Sequence, residues 1–118
     1  MSLLFTPFTF DAPRGPLTLP NRIVMPAMGL EACHNGLPGE AVAQHCARRV
    51  EGGTGLIITE GVYIDHPSSG DNPVLGRFRG EDAFASWRRV AEATHAAGGI
   101  VMPELWHVGL IYKTQDLM

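Results

Sequence analysis

The sequence is poor in several features that would narrow its class. It has only two cysteines, Cys33 and Cys46, which are too few for a disulfide framework and match no zinc motif. No apolar run approaches the roughly 20 residues of a membrane helix, and the first residues do not have the pattern of a signal peptide. The chain also lacks a strong excess of either charge, with 9 Lys and Arg against 12 Asp and Glu, and it has no basic stripe. These absences argue against nucleic acid and membranes as partners and predict a globular protein of the reducing cytoplasm.

Three strand-length apolar runs lie along the chain, over residues 22–28, 54–60 and 99–105. The second run is rich in β-branched residues, which favour extended backbone. A strand with one face in solvent alternates apolar and polar residues, whereas strands of a parallel sheet are covered on both faces and form continuous apolar runs. The three runs therefore predict strands of a parallel sheet.

Two helical segments separate the runs. Residues 39–51 carry an apolar side chain at every fourth position, namely Val42, Cys46 and Val50. Residues 81–97 place similar side chains three and four residues apart, namely Phe84, Trp87, Ala91 and Thr94. Each segment is followed by a pair of glycines, which readily adopt the conformation that ends a helix. We expect both helices to pack on the sheet, with Phe84 and Trp87 in the core.

Ahead of the first run, residues 8–10 and 17–19 flank a turn rich in proline and glycine and predict a small β-hairpin. A hairpin followed by β-α-β-α-β fits either a doubly wound sheet or the start of a (β/α)8 barrel. Nucleotide-binding doubly wound sheets usually carry G-x-G-x-x-G after their first strand, and residues 28–32 lack it. We therefore predict an α/β fold that is the N-terminal portion of a (β/α)8 TIM barrel.

The functional site of either fold lies beyond the carboxyl ends of the strands. Gly29, Gly61 and Gly109 follow these ends, either as turn glycines or as small residues that leave room for a flat ligand. Glu60 ends the second strand, either as a buried, paired carboxylate, which we favour, or as a catalytic one. His107 has three interpretations, as a proton donor, a ligand contact or a core histidine.

A metal site is the weakest of the interpretations. Its candidate ligands are Cys33, His34, His66 and His107, which all lie on strand-end loops, yet no pair of them has a short ligand spacing such as H-x-x-x-H. A metal-dependent barrel hydrolase would use His66 and His107. We therefore expect no metal. From the residues alone, the chain is a parallel α/β protein with a strand-end site for a flat or apolar ligand.

Four blocks of sequence, in order, carry a resemblance to a known family. They are L-F-T-P-F (residues 4–8) with L-T-L-P-N-R-I-V-M (17–25), G-L-I-I-T-E-G (55–61), W-R-R-V (87–90) with H-A-A-G-G (95–99), and L-W-H-V-G (105–109). Each block is weak alone, but their order and spacing are specific. Together they resemble the opening of the old yellow enzymes and related ene-reductases.

The resemblance implies an FMN-dependent oxidoreductase that moves hydride from NAD(P)H through the flavin to an activated alkene, typically an α,β-unsaturated carbonyl. It implies a small-molecule substrate and allows a homo-oligomer. It assigns the flavin ring to Pro26, Ala27, Met28, Gly29, Gly61 and Glu104, with Glu104 at the pyrimidine edge. Glu31 and His107 are candidates for the substrate pocket. No catalytic residue is assigned within the chain.

Three positions depart from the family pattern. Gly29 stands where many members carry Thr or Cys, which contact the flavin and tune its reduction potential. Glu104 stands where Gln is usual; an ionised carboxylate only accepts hydrogen bonds and repels the charge of reduced flavin, whereas a protonated carboxyl also donates. Leu110 replaces an arginine. These departures motivate an alternative function, a non-catalytic or redox-impaired homologue that acts as a ligand-binding or isomerising scaffold.

The resemblance also implies that important parts of the site lie elsewhere. The family's donors to the substrate carbonyl, its tyrosine proton donor and its phosphate-binding region match nothing in these residues. A complete barrel takes about 250 residues. Residues 1–118 are therefore expected to be the N-terminal third of a single FMN-binding barrel, completed by the rest of the same chain or by a complementary one. Expressed alone, they are expected to aggregate or stay partly unfolded and to bind no FMN.

Overall fold

A computed structural model describes residues 2–111 of the chain. The strands are β1 (Phe8–Phe10), β2 (Leu17–Leu19), β3 (Val24–Met25), β4 (Cys33–His34), β5 (Leu37–Pro38), β6 (Leu56–Tyr63) and β7 (Ile100–Trp106); the helices are α1 (Glu40–Glu51) and α2 (Glu81–Ala96). Short 3-10 turns lie at Leu3–Phe5 and Gly109–Ile111. None of the helices in this part of the chain is long and apolar enough to cross a membrane.

The central sheet has three parallel strands in the order β3-β6-β7, with α1 and α2 as the connections. The predicted β-α-β-α-β order is confirmed, but two strand lengths differ from the prediction. The first strand covers only two of the seven residues of its apolar run, because Pro26 follows Met25 and has no N–H for the ladder. The second strand continues past Glu60 to Tyr63, because β7 pairs with it as far as Trp106.

A β-bulge interrupts the pairing of β6 with β7. Ile58 pairs with Met102 and Gly61 pairs with Glu104, so β6 contains one residue more than β7 across this interval. Successive side chains of a regular strand point to opposite faces, and an extra residue shifts that alternation. Beyond the bulge, the faces of β6 are therefore reversed relative to a regular strand.

The core lies between the sheet and the two helices. From the sheet, Ile57 and Val62 are fully buried. As expected, the helices contribute Val42, Cys46 and Val50 from α1 and Trp87 and Thr94 from α2; Val90 of α2, which was not predicted, is buried as well. Trp87 is buried as predicted, and its indole N–H donates to the carbonyl of Arg77 at 3.0 Å.

The prediction that Phe84 belongs to the core is wrong, because its side chain is 42% exposed. The buried stripe of α2 runs through Ala83, Trp87, Val90 and Thr94. Phe84 lies one position from this stripe, a rotation of about 100° around a helix with 3.6 residues per turn. Its ring packs edge-on against Phe78 instead, with centroids 5.4 Å apart.

Two hairpins flank the sheet. The first pairs β1 with β2 in antiparallel register, which confirms the predicted hairpin. The second, β4 with β5, was not predicted; it turns at Asn35 and Gly36, which have φ values of 51° and 76°. Gly36 binds the loop after β6 on both sides, donating to Pro73 at 2.9 Å and accepting from Arg77 at 2.9 Å. This second hairpin therefore secures the loop beyond the carboxyl end of β6.

Candidate functional site

A cleft of about 250 Å³ opens at the carboxyl ends of the three parallel strands. The chain reaches it from three places: the segment after β3, the bulged part of β6 and the last residues of β7. The lining residues are Ala27, Met28, Gly29, Glu31, Glu60, Gly61, Leu75, Glu104 and Trp106. This is the location at which parallel α/β folds bind their ligands.

Most of the residues singled out from the sequence meet at this cleft. Five of the six flavin-contact candidates line it, all except Pro26, and so does the substrate-pocket candidate Glu31. Pro26 is exposed just before the lining begins. His107 is exposed as well and lies outside the lining. Its ring faces that of His66 with centroids 5.3 Å apart, and its Nδ1 accepts from the N–H of Gly109 at 2.9 Å.

The bulge in β6 explains why two consecutive residues, Glu60 and Gly61, both line the cleft. In a regular strand one of them would face the helices. Glycine inside a strand often marks a bulge, and Gly61 is such a sign here, but the strand was predicted to end at Glu60. Leu75 and Trp106 were not assigned to the site from the sequence; Trp106 falls within the L-W-H-V-G block, whereas nothing marks Leu75.

Glu60 is a buried carboxylate, 7% exposed, that binds the segment after β3. Its Oε2 accepts from the backbone N–H of Leu30 at 2.6 Å and of Glu31 at 2.8 Å. The Cys33 thiol donates to Oε1 at a sulfur–oxygen distance of 3.8 Å. The structure thus supports the paired interpretation of Glu60 over the catalytic one.

The Glu60 carboxylate also affects the thiol beside it. Burial, the negative charge of Glu60 and the hydrogen bond to Glu60 together raise the pKa of Cys33 to about 12, and burial contributes most. A thiol with so high a pKa carries almost no thiolate near neutral pH and is a poor nucleophile. We therefore assign Cys33 no nucleophilic role.

The indole of Trp106 covers Gly61. A Cβ atom built on Gly61 would lie 2.6 Å from Cε3 and 2.9 Å from Cδ2 of Trp106, closer than atoms can approach. The indole also stacks on the ring of Tyr63, with centroids 5.6 Å apart and planes at 12°. The structure therefore gives Gly61 a local reason to be glycine, and the flavin contact assigned to it from the resemblance stays a prediction.

Gly29 has no such neighbour. Within residues 2–111 no heavy atom lies within 4 Å of a Cβ built there, apart from the adjoining residues of the chain. The Thr or Cys that many members of the family carry would therefore fit. A larger side chain would also have space at this end of the cleft.

Negative charge dominates the lining. Glu31, Glu60 and Glu104 are the charged residues of the described lining, and Lys, Arg and His are absent from it. Glu104 is exposed on β7 and lies opposite Gly61 in the strand register. A ligand that gains negative charge would be disfavoured by this wall unless groups outside the described residues compensate.

Two other clefts have similar volumes but different character. One, of about 260 Å³, contains Arg77 and Arg79. Arg77 binds Asp82 and the Arg79 carbonyl, both at 2.6 Å, and Arg79 binds the His66 carbonyl at 3.0 Å, so these cations crosslink the loop around them. The other, of about 240 Å³, is apolar and lies between α2 and the sheet. Within residues 2–111, no group of three or more His, Cys, Asp or Glu could hold a metal ion.

The chain forms a parallel sheet that packs against two helices, with a cleft at the carboxyl ends of the strands. These features define the class of α/β proteins that bind small ligands at the strand ends. The family described as NADH:flavin oxidoreductase / NADH oxidase matches residues 3–117, and the chain belongs to this family.

Individual relatives agree with this membership. The chain is 38% identical over 106 residues to 12-oxophytodienoate reductase 7 of Oryza sativa subsp. japonica, covering 90% of this chain and 25% of that protein. It is 32% identical over 96 residues to the NADH oxidase of Thermoanaerobacter brockii, covering 80% of this chain and 15% of that protein.

Solved structures agree as well. Morphinone reductase in complex with tetrahydroNAD superposes with a TM-score of 0.79 at 30% identity, over 92% of this chain and 28% of that one. The old yellow enzyme homologue from Zymomonas mobilis gives 0.78 at 30%, over 92% and 29%. The resemblance to the old yellow enzymes and the predicted N-terminal portion of a TIM barrel are confirmed. The chain spans only a quarter of the rice relative and less than a third of these two structures.

Proposed function

We propose that this chain supplies one wall of the FMN site of an oxidoreductase that moves hydride from NAD(P)H to an activated alkene, such as an α,β-unsaturated carbonyl. One observation carries the proposal: five of the six residues that the resemblance assigns to the flavin line a single cleft at the strand ends. Family membership supports the flavin and the nicotinamide. The names of 12-oxophytodienoate reductase and morphinone reductase support a reductive reaction.

Two features of the cleft fit a flat ring, and a third differs from the expected contact at Gly61. Ala27 is small, and the space beside Gly29 is open. The carboxyl of Glu104 makes no hydrogen bond within residues 2–111, so it is available to a ligand. Trp106 covers Gly61, so a ring on this wall would meet the indole there rather than bare backbone.

The chemistry itself belongs to the cofactor: bound FMN would accept hydride from NAD(P)H and deliver it to the alkene carbon. The residues of this chain bind and orient. Met28, Leu75 and Trp106 offer apolar surface that would exclude water from the ring. Glu104 would bind at the polar edge of the ring, as an acceptor when ionised and as donor and acceptor when protonated.

We further propose that residues 1–118 are the N-terminal third of a single FMN-binding barrel, with the remainder in the same chain or in a complementary one. Within residues 2–111, β7 pairs only with β6, and its other edge is free. Leu105, on this strand, is 60% exposed. An apolar strand with an open edge is expected to pair with a further strand.

The free, buried thiols of Cys33 and Cys46 support a cytoplasmic location.

The absorption spectrum tests the proposal. The intact protein, which is the protein in the form in which the cell makes it, is isolated. Its visible absorption spectrum is recorded without oxygen. We expect a flavin band that NADH or NADPH bleaches and that an α,β-unsaturated carbonyl restores. Bleaching without restoration would contradict the alkene step, and the absence of flavin would contradict the whole proposal.

A redox-impaired scaffold is the second candidate function. The observation in its favour is the cleft lining, in which three carboxylates occur without a cation among the described residues. Such a wall disfavours the negative charge of reduced flavin. The same experiment distinguishes the two, because the scaffold predicts either no flavin or a flavin that NADPH does not reduce.

A further inference from the structure

We propose that Glu60 is a positioning residue of this site, whose buried carboxylate fixes the cleft-lining loop from Ala27 to Glu31. The inference rests on the proposed function for the identity of the ligand. The contacts that carry it are independent of any ligand. Glu60 is distant in sequence from the loop it holds, 30 residues from Leu30 and 29 from Glu31.

The geometry of the bonds is specific. The N–H groups of two consecutive residues, Leu30 and Glu31, converge on a single oxygen of Glu60 at 2.6 and 2.8 Å. Converging backbone N–H groups are the arrangement with which loops bind anions. The other oxygen accepts from the Cys33 thiol, so both oxygens of the carboxylate are engaged. The loop is thereby attached to β6 on the side that faces the cleft.

The backbone of Glu31 needs this attachment. Its φ is 52°, in the left-handed region that side chains other than glycine rarely adopt. Such a conformation persists only where the surroundings hold it. Because the N–H of Glu31 is itself one of the two donors, the bond to Glu60 acts directly on the strained residue. Without it we expect Glu31 to relax and to carry Gly29 out of the wall.

The buried charge of Glu60 also indicates that the carboxylate and the loop stabilise each other. Within residues 2–111 the ion pair joins Arg77 to Asp82, and Glu60 makes none. His45 interacts electrostatically with Glu60, but burial and the charges of Arg49 and Arg48 lower the pKa of His45 and so disfavour its cationic form. A buried carboxylate is costly unless hydrogen bonds compensate it. Here the compensation comes from the loop. The interaction is therefore mutual: the loop stabilises the charge, and the charge fixes the loop.

The test measures the two amides themselves. Residue-resolved hydrogen exchange is recorded for Leu30 and Glu31 in the intact protein, together with its FMN dissociation constant. Three variants are compared with the parent: Glu60→Ala, Glu60→Gln, and Glu92→Ala as a control that removes an exposed carboxylate from α2.

We expect Glu60→Ala to accelerate exchange of both amides by about tenfold or more and to weaken FMN binding by about tenfold, since hydrogen bonds to charged groups are among the strong ones. Glu60→Gln keeps a neutral acceptor and should accelerate exchange by about threefold. Core amides such as that of Ile57 should keep their protection in Glu60→Gln, which separates loop positioning from a loss of the fold. The control should match the parent in both measurements.

Parent-like exchange of Leu30 and Glu31 in either Glu60 variant would overturn the inference. So would FMN affinity that is unchanged in Glu60→Ala while both amides exchange faster. If Glu60→Ala does not fold, Glu60→Gln decides by its two amides. If the intact protein binds no FMN, the proposed function fails, while the exchange of the two amides still decides whether Glu60 fixes the loop.

Discussion

Two glycines of the same cleft are predicted to respond in opposite ways to one added methyl group. Gly61→Ala introduces a Cβ that would lie 2.6 Å from Cε3 of Trp106, whereas a Cβ at Gly29 meets nothing within 4 Å in the described residues. Neither glycine has the positive φ that would make alanine strained. The comparison therefore isolates the contact with the indole.

The magnitudes follow from how Trp106 can respond. Overpacking typically costs about 1–3 kcal/mol. The indole is 41% exposed, so it can swing outward and lose mainly its stacking on Tyr63, worth about 0.5–1.5 kcal/mol. We expect Gly61→Ala to lower the free energy of unfolding by about 1–2 kcal/mol. Gly29→Ala should be neutral or raise it by up to about 1 kcal/mol, because alanine restricts the unfolded chain.

Urea unfolding of the intact protein, followed by tryptophan fluorescence and near-ultraviolet circular dichroism, measures both effects. The aromatic signal of the Trp106–Tyr63 pair should change in Gly61→Ala and stay in Gly29→Ala. Equal unfolding midpoints for the two variants would refute the reasoning, as would an unchanged aromatic signal in Gly61→Ala.

Two further predictions concern charge. Glu104→Gln removes a carboxylate from the cleft; we expect tighter FMN binding and a flavin potential higher by on the order of 30 mV, which is about 1.4 kcal/mol for a two-electron couple. Indistinguishable affinity and potential across pH would rule out the contact assigned to Glu104. The pKa of Cys33 is raised from 9.0 to about 12, so the unfolded chain loses this proton first. The contribution of Cys33 to stability should be complete below pH 9 and be lost between pH 9 and 12, so the free energy of unfolding should fall less steeply with pH in Cys33→Ala than in the parent. Urea unfolding at a series of pH values measures this, and equal slopes of the free energy of unfolding against pH would contradict it.

Short sequence patterns were sufficient to predict the elements that are stabilised by interactions within one segment of the chain. The four-residue spacing of Val42, Cys46 and Val50 was sufficient for α1, because a helix forms its hydrogen bonds within one segment. The first strand was predicted too long because the run was judged by hydropathy, while the missing N–H of Pro26 ends the ladder. The second hairpin could have been predicted, since Asn35-Gly36 is a typical hairpin turn.

The site depended on contacts between distant residues, which is why the sequence predicted it only in part. The bulge arises from the pairing of β6 with β7, and Gly61 within β6 is a local sign of it that does not fix its position. Glu60 finds its partners 29 and 30 residues earlier in the chain. Gly61 is constrained by Trp106, a residue of another strand. The fold places five of the six residues assigned by resemblance in one cleft. The contacts that hold these residues there could be identified only from the three-dimensional structure.

The central claim is that this cleft is one wall of an FMN site, and an FMN titration of the intact apoprotein and its Gly29→Leu variant tests it most directly. Because the space beside Gly29 is open, leucine should occupy the cleft without disturbing the fold. We predict that the parent binds FMN and that the variant binds it at least about tenfold more weakly, a loss of ~1.4 kcal/mol, with an unchanged free energy of unfolding. Equal FMN affinity in the two proteins would contradict the claim.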